Sequence, residues 1–316
     1  MDLRPLAPEG MQDSMAGTSL DFQLGSRPDS GRLVVGCGCG VVLVVSVPEG
    51  NYTPVVLGHA GPVEGLAVSP AGRDFFLTAS ADKTLRRWSI SGRDLSQSVL
   101  LGIKATALAL SPDETVVAVG HPAGCFTLWD LPPPPLVARC LLKNTIRRED
   151  ITDVKFSPDG RHLAVASREQ VVDIYDVGRD VKLTGSCKGH SAAVLHIDFS
   201  ADARYLRSSC AAGEVLIWEV PSGRRCNRAA EFRDTVWYTN SVVFQFGLQG
   251  VWPRSGGPNA VTSVDISGDS EVAAVGDCTG ALRLYRHPAP SELPSREYAG
   301  HAAPILQTSF TRDDAR

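Results

Sequence analysis

One turn recurs along the chain at nearly constant spacing. A serine followed by x-Asp, or by Pro-x-Gly, stands at Ser69, Ser111, Ser157, Ser200 and Ser267, while Ser26 opens a related S-R-P-D and Thr311 a related T-R-D-D. The steps are 43, 42, 46, 43, 67 and 44 residues. A second series uses different residues and keeps the same phase. An aromatic closes an alternating apolar run at Trp88, Trp129, Tyr175, Trp218 and Tyr285, with Val45 in the corresponding place, at steps of 43, 41, 46, 43 and 67. A third mark, Gly-His, opens units at Gly58-His59, Gly189-His190 and Gly300-His301. Self-similarity at a period of roughly 20–50 residues restricts a chain to solenoids, propellers or related arrays.

Inside each unit, short runs rich in Val, Ile, Leu and Phe alternate with period two between clusters of Gly, Pro, Ser and Asp, the pattern of strands and tight turns. In the second unit the strands are expected over residues 63–69, 75–80, 84–90 and 96–101. Four strands per repeat of this length describe one blade of a WD-repeat β-propeller. Counting the closing residues predicts an all-β propeller of six four-stranded blades plus an incomplete seventh. Residues 1–18 are then a disordered leader and 19–316 a single propeller, with an insertion at about 233–258 and a seventh blade truncated at 300–316. An open seventh blade leaves strand edges and apolar faces unpaired, so a truncated or alternatively spliced form is expected, one that self-associates, leans on a partner or folds poorly.

Composition narrows the function. Lys and Arg number 31 against 35 Asp and Glu, a formal net charge of −4, so no polybasic field is available for nucleic acid. Met1–Thr18 has prolines and acids where an export signal needs a basic end and an apolar run. The most apolar stretch, 33–47, is interrupted by Gly36, Gly38 and Gly40 and is too short to span a membrane as a helix. The eight cysteines form no C-x-x-C pair, which indicates a reduced, intracellular chain. Cys37 and Cys39 are read as part of a glycine turn and not as metal ligands, and no metal or cofactor is expected. Pro132–Pro135 reads as a stiff linker. No G-x-S-x-G, H-E-x-x-H or P-loop is present, so the chain is expected not to be an enzyme. Arginines gather at turns that would share one propeller face, among them Arg73, Arg161, Arg204, Arg224 and Arg225. That face could address an acidic partner, although nearby aspartates should cancel much of its field.

The WD-repeat resemblance carries a further implication. In such propellers the Gly-His histidine, a hydroxyl of the second strand, the turn aspartate and the third-strand tryptophan form a hydrogen-bonded tetrad, which here implies His59, Thr78 (or Ser80), Asp82 and Trp88. A partial set, His190, Ser208 and Trp218, is implied in the fifth unit, where Ala212 stands in the aspartate's place. After Trp218 come Val236-Trp237, Gly250-Val251-Trp252-Pro253 and Asn259-Ala260-Val261. This stretch resembles the last part of the echinoderm microtubule-associated protein-like family, in which a tryptophan-bearing element ending in G-[IV]-W-P precedes the penultimate blade. Trp237, Trp252, Pro253 and Asn259 are the residues that carry the likeness. The resemblance implies a non-enzymatic interaction scaffold of the cytoplasm and cytoskeleton that binds tubulin or organises microtubules. The alternative is a general WD-repeat adaptor, of a ubiquitin ligase or signalling complex, that does not bind tubulin.

Overall fold

The computed structural model describes residues 17–24, 31–37, 41–47, 52–131, 139–145, 147–178, 181–243, 246–251, 261–289, 294–299, 301 and 303–310; within 17–57 and 139–145 it is the backbone that is described. Every described sheet is a four-stranded antiparallel meander. Strands β1 (Gly17–Leu24), β2 (Gly31–Cys37), β3 (Val41–Val47) and β4 (Tyr52–Leu57) make the first. Blade I follows with β5 (Val63–Val68), β6 (Phe75–Ser80), β7 (Thr84–Ser89) and β8 (Leu95–Leu100), each within a residue or so of its expected position. Blade II is β9 (Ala107–Leu110), β10 (Val116–Gly120), β11 (Cys125–Asp130) and β12 (Arg139–Thr145). Blade III is β13 (Ile151–Phe156), β14 (His162–Ser167), β15 (Val171–Asp176) and β16 (Lys182–Lys188). Blade IV is β17 (Val194–Phe199), β18 (Tyr205–Cys210), β19 (Val215–Glu219) and β20 (Arg224–Cys226), and blade V is β21 (Val261–Ile266), β22 (Val272–Asp277), β23 (Ala281–Arg286) and β24 (Arg296–Ala299).

Period-two alternation sends one set of side chains from each sheet toward the blade before it and the other toward the blade after it, so the core lies between blades. Phe75, Leu77 and Leu85 of blade I meet Leu108, Val117 and Trp129 of blade II. Phe126 and Leu128 meet Ile151, Leu163 and Tyr175 in the next layer, and Val172 and Ile174 meet Val194, Ile197 and Trp218 in the one after. The first strands β5, β9, β13 and β17 stand side by side around the axis. Gly65 is required where β5 and β9 approach, since a Cβ there would lie 2.4 Å from the Leu108 Cβ.

The recurring Ser-x-Asp is the device that turns β13 into β14. Ser157 Oγ donates to Asp159 (2.5 Å), the Arg161 N–H donates to Asp159 (3.1 Å) and the His162 N–H to Ser157 Oγ (2.9 Å). The same three bonds recur at Ser111, Ser200 and Ser267. The residue three after each serine is left-handed, whether glycine (Gly160, φ 71°) or not (Glu114, φ 61°; Ala203, φ 59°; Ser270, φ 60°). Blade I has Ala71 in place of the aspartate, and the carboxylate comes from the neighbouring blade. Buried Glu114 accepts from Ser69 Oγ and from the Ala71 N–H (3.1 Å) and pairs with Arg73 Nε at 3.1 Å.

The insertion is built into the ring between blades IV and V. Trp237 makes a bridge to Ser200, the Tyr238 N–H donates to Phe199 (2.8 Å), and Val243, Leu248 and Val251 are buried against Val261, Val264 and Val275 of blade V. After β24, residues 305–310 close the ring. Thr262 Oγ1 donates to the Ile305 carbonyl, the Phe310 N–H donates to Asp265 (2.7 Å), and the Gln307 side-chain amide both accepts from the Leu66 N–H (2.8 Å) and donates to the Leu66 carbonyl (2.7 Å).

These bonds correct the expected count of six blades plus an incomplete seventh. Among the described residues five blades form the ring, with residues 305–310 bonded to blade V on one side and to the inner strand of blade I on the other. β1 starts at Gly17, within the last residues of the expected leader; residues 1–16 lie outside the described part, as do Cys39 and Pro132–Pro135.

Candidate functional site

In blade I the structure brings His59, Thr78, Asp82 and Trp88 together. The Trp88 indole N–H donates to Thr78 Oγ1 (2.7 Å), the Thr78 hydroxyl meets His59 Nε2 (2.7 Å), and His59 Nδ1 meets Asp82 Oδ2 (2.8 Å). Only one proton arrangement satisfies every atom: indole to hydroxyl, hydroxyl to Nε2, Nδ1–H to carboxylate. Burial alone would push the Asp82 carboxyl up, but the bonds from His59 and Thr84 outweigh it and hold the group well below the usual carboxylate range. Ser80, the other candidate hydroxyl, instead donates to the Gly61 carbonyl (3.1 Å).

The remaining blades fill the same place differently. In blade II, Val119 occupies the register of Thr78. The hydroxyl is Thr127 of β11, which receives the Trp129 indole (2.8 Å) and meets His121 Nε2 (2.7 Å), while His121 Nδ1 donates to the Lys104 carbonyl (2.9 Å). His121 is fully buried. Gly-His-Pro-Ala-Gly reads as a turn whose histidine is near neutral to replace, and the burial and two bonds of His121 count against that reading. Ala123 and Gly124 both take positive φ (54° and 64°), and this tight turn leaves His121 at the end of β10, pointing inward. In blade III an arginine replaces the histidine: Arg147 grips buried Asp173 through two bonds of 2.8 Å, with Glu169 at 3.6 Å and Tyr175 in the tryptophan's register. In blade IV, Ser208 Oγ lies 2.6 Å from His190 Nε2 and receives the Trp218 indole (2.7 Å). In blade V, Asp277 accepts from Thr279, the Ala281 N–H and Arg283. Each cluster bonds within its own blade or to the loop that enters it, which is how buried polar groups stabilise a fold.

A cavity of ≈ 360 Å³ runs along the axis, walled by the inner strands and by residues 238–241 and 306–310. Its wall is most heavily charged on the side of blades III to V, with Glu64 of blade I opposite. At two successive registers of the inner strands, blades I and II have Gly65 and Ala67, and Ala107 and Ala109, whereas blades III to V have Asp153 and Lys155, His196 and Asp198, and Ser263 and Asp265. Burial pushes the Asp153 carboxyl up to about 6 despite Lys155 and the Ile197 N–H, and pushes Asp265 up to about 6 despite the N–H groups of Phe310 and Ile266. Burial drives the His196 imidazole down to about 4. Asp198 goes the other way. Arg207, Thr239, Lys155 and the Val242 N–H overcome its burial and hold it ionised, and it thereby anchors the insertion to blade IV. Sequence reasoning missed this group. Its signal was an ionisable residue at every second position of an inner strand, as in I-T-D-V-K-F and V-L-H-I-D-F, where the alternation would otherwise be apolar.

Comparison with known proteins places this architecture. A family model described as the echinoderm microtubule-associated protein second beta-propeller matches residues 63–316, from the first strand of blade I onward. The chain belongs to the echinoderm microtubule-associated protein family. It is 31% identical over 289 residues to the human echinoderm microtubule-associated protein-like 3, covering 90% of this chain and 32% of that protein. It is likewise 31% identical over 288 residues to the mouse echinoderm microtubule-associated protein-like 2, covering 90% of this chain and 43% of that protein. To the 77 kDa echinoderm microtubule-associated protein of the sea urchin Lytechinus variegatus it is 28% identical over 271 residues, or 84% of this chain and 40% of the relative. The chain thus spans about a third to two fifths of the length of these relatives.

Of the residues that suggested the echinoderm microtubule-associated protein family from sequence, Trp237 is held under Arg207, whose guanidinium lies 4.5 Å from the ring centroid, while Trp252, Pro253 and Asn259 lie outside the described residues. The arginines of the turn face are exposed and mostly paired: Arg73 with Glu114, Arg161 with Asp159, Arg204 with Asp202, and Arg224 with Glu219 through two bonds. Arg225 beside them is also exposed. Pro70 and Gly268, from the Ser69 and Ser267 turns of blades I and V, line the cavity.

Proposed function

We propose that this propeller is a non-catalytic docking platform of the cytoplasmic microtubule cytoskeleton, and that tubulin is its partner. The observation that carries the reading is the match of residues 63–316 to the second propeller of proteins named for their association with microtubules. The cavity supports a binding role over a catalytic one, since Asp153, Asp198 and Asp265 each accept a backbone N–H from the wall and so serve the ring itself. The turn face around Arg161, Arg204, Arg224 and Arg225 is the surface we assign to the acidic partner, with intramolecular pairs that can exchange for contacts to its carboxylates at little net cost.

Co-sedimentation of the purified chain with taxol-stabilised microtubules tests this. Pelleting is expected, weakened several-fold by added salt and by the charge-reversed variant R161E/R204E/R224E/R225E. A folded chain that stays in the supernatant at every microtubule concentration overturns the tubulin reading and leaves the general adaptor in its place.

A further inference from the structure

The polar cluster of blade IV has lost one member and gained two, all at one end of the sheet. Blade I uses His59, Ser80, Asp82 and Thr84; the same registers in blade IV carry His190, Cys210, Ala212 and Glu214. With Ala212 in place of the aspartate, His190 Nδ1 has no hydrogen-bond partner although its side chain is wholly buried. Such an atom is costly to leave unpaired. Two new groups face it. Glu214 Oε2 lies 3.8 Å from His190 Nδ1, too long for a hydrogen bond, and 3.5 Å from Cys210 Sγ, and the three ligand-type atoms all fall within 4.8 Å of one another.

We propose that His190 Nδ1, Cys210 Sγ and Glu214 Oε2 form a binding site for a single divalent metal of borderline softness, zinc in particular. A tetrahedral zinc has bonds of about 2.3 Å to sulfur and about 2.0 Å to nitrogen and oxygen, which sets its ligand atoms about 3.3–3.6 Å apart. The sulfur-to-oxygen separation already meets this, and the imidazole, whose Nδ1 lies 3.8 Å from the carboxylate oxygen, has to move inward to join the pair. A mixed thiolate, imidazole and carboxylate set selects zinc over the hard cations calcium and magnesium. The supports are in place as well. Ser208 Oγ, 2.6 Å from Nε2, can accept the Nε2–H and leave Nδ1 bare, and the Ser191 N–H donates to Glu214 Oε2 (3.0 Å) and fixes the carboxylate over the pair. Loading displaces the thiol proton to solvent, and the fourth position is left to water at the half-exposed Glu214 side. The site is independent of the microtubule reading.

Metal analysis of the full chain after chelation and re-equilibration with zinc tests the proposal, together with cobalt(II) substitution followed by absorption spectroscopy. One equivalent of zinc per chain and a cobalt thiolate charge-transfer band are expected. C210S should abolish the band, and C210S and E214Q should each weaken zinc binding at least tenfold, whereas C278S at an exposed cysteine should leave both unchanged. Near-ultraviolet circular dichroism identifies any variant that has merely unfolded, and the cobalt spectrum of the unaltered chain stands without the variants. A wild-type chain that takes up no stoichiometric zinc, a cobalt complex without the thiolate band, or binding unchanged in folded C210S overturns it.

Discussion

Both ring nitrogens of His121 are engaged inside blade II, one with Thr127 and one with the Lys104 carbonyl, and the side chain has no contact with solvent. Replacing it with alanine removes two bonds and opens a buried void, so H121A is expected to lower stability by about 2–4 kcal/mol, comparable with W88A at about 3–5 kcal/mol. Urea denaturation of the two variants checks this; an H121A midpoint equal to wild type would refute it. The His59 group was legible only through the resemblance to WD-repeat propellers, whose histidine, hydroxyl, acid and indole have matching residues in this unit. His121 and Arg147 were not, because the same space is filled from a different segment or with the opposite charge, and spacing says nothing of which side chain reaches a given point. Glu114 is the sharper case. It completes a turn 45 residues before it in sequence, a relation that exists only once two blades stand side by side.

Along the inner strands the unit of behaviour is the half-ring of β13, β17 and β21. Asp153 and Asp265 have folded pKa values of about 6 against an ordinary 3.8. Between those limits the folded chain holds protons that the unfolded chain has released, so each group contributes stability that is fully present below pH 3.8 and is lost as the pH rises through about 6. His196, lowered to about 4, acts in the opposite sense over the range from its ordinary 6.5, which masks the effect in the wild type. D153N isolates it. Relative to wild type, the variant is expected to gain on the order of 1–3 kcal/mol on going from pH 4.5 to pH 7.5, measured as paired thermal melts; a difference that does not change with pH would refute the assignment. The strands themselves were legible from period-two alternation to within a residue or so in blade I. The charged wall was not, because alternation separates inside from outside, and an inner strand of a propeller has no outside.

For the molecule as a whole, repeat spacing announced a propeller but could not count its blades, since a period does not reveal which unit lies beside which. The neighbour relation is set by residues 305–310, and above all by Gln307, whose amide imitates a strand peptide against Leu66. Q307A is expected to cost about 1–2 kcal/mol and to speed hydrogen exchange at the Leu66 amide while leaving the amides of β14 protected; a Leu66 amide that exchanges in Q307A as it does in the wild type would place the closure elsewhere. The turn of blade I, finished by a carboxylate of blade II, has a historical meaning too. A gene that gains or loses propeller units by duplication copies each unit with its own turns, but a unit that borrows part of its turn cannot be copied or deleted alone. Descent by unequal exchange is therefore barred at the junction of blades I and II, and lineages of this chain should keep those two units as an inseparable pair even where the number of the others drifts.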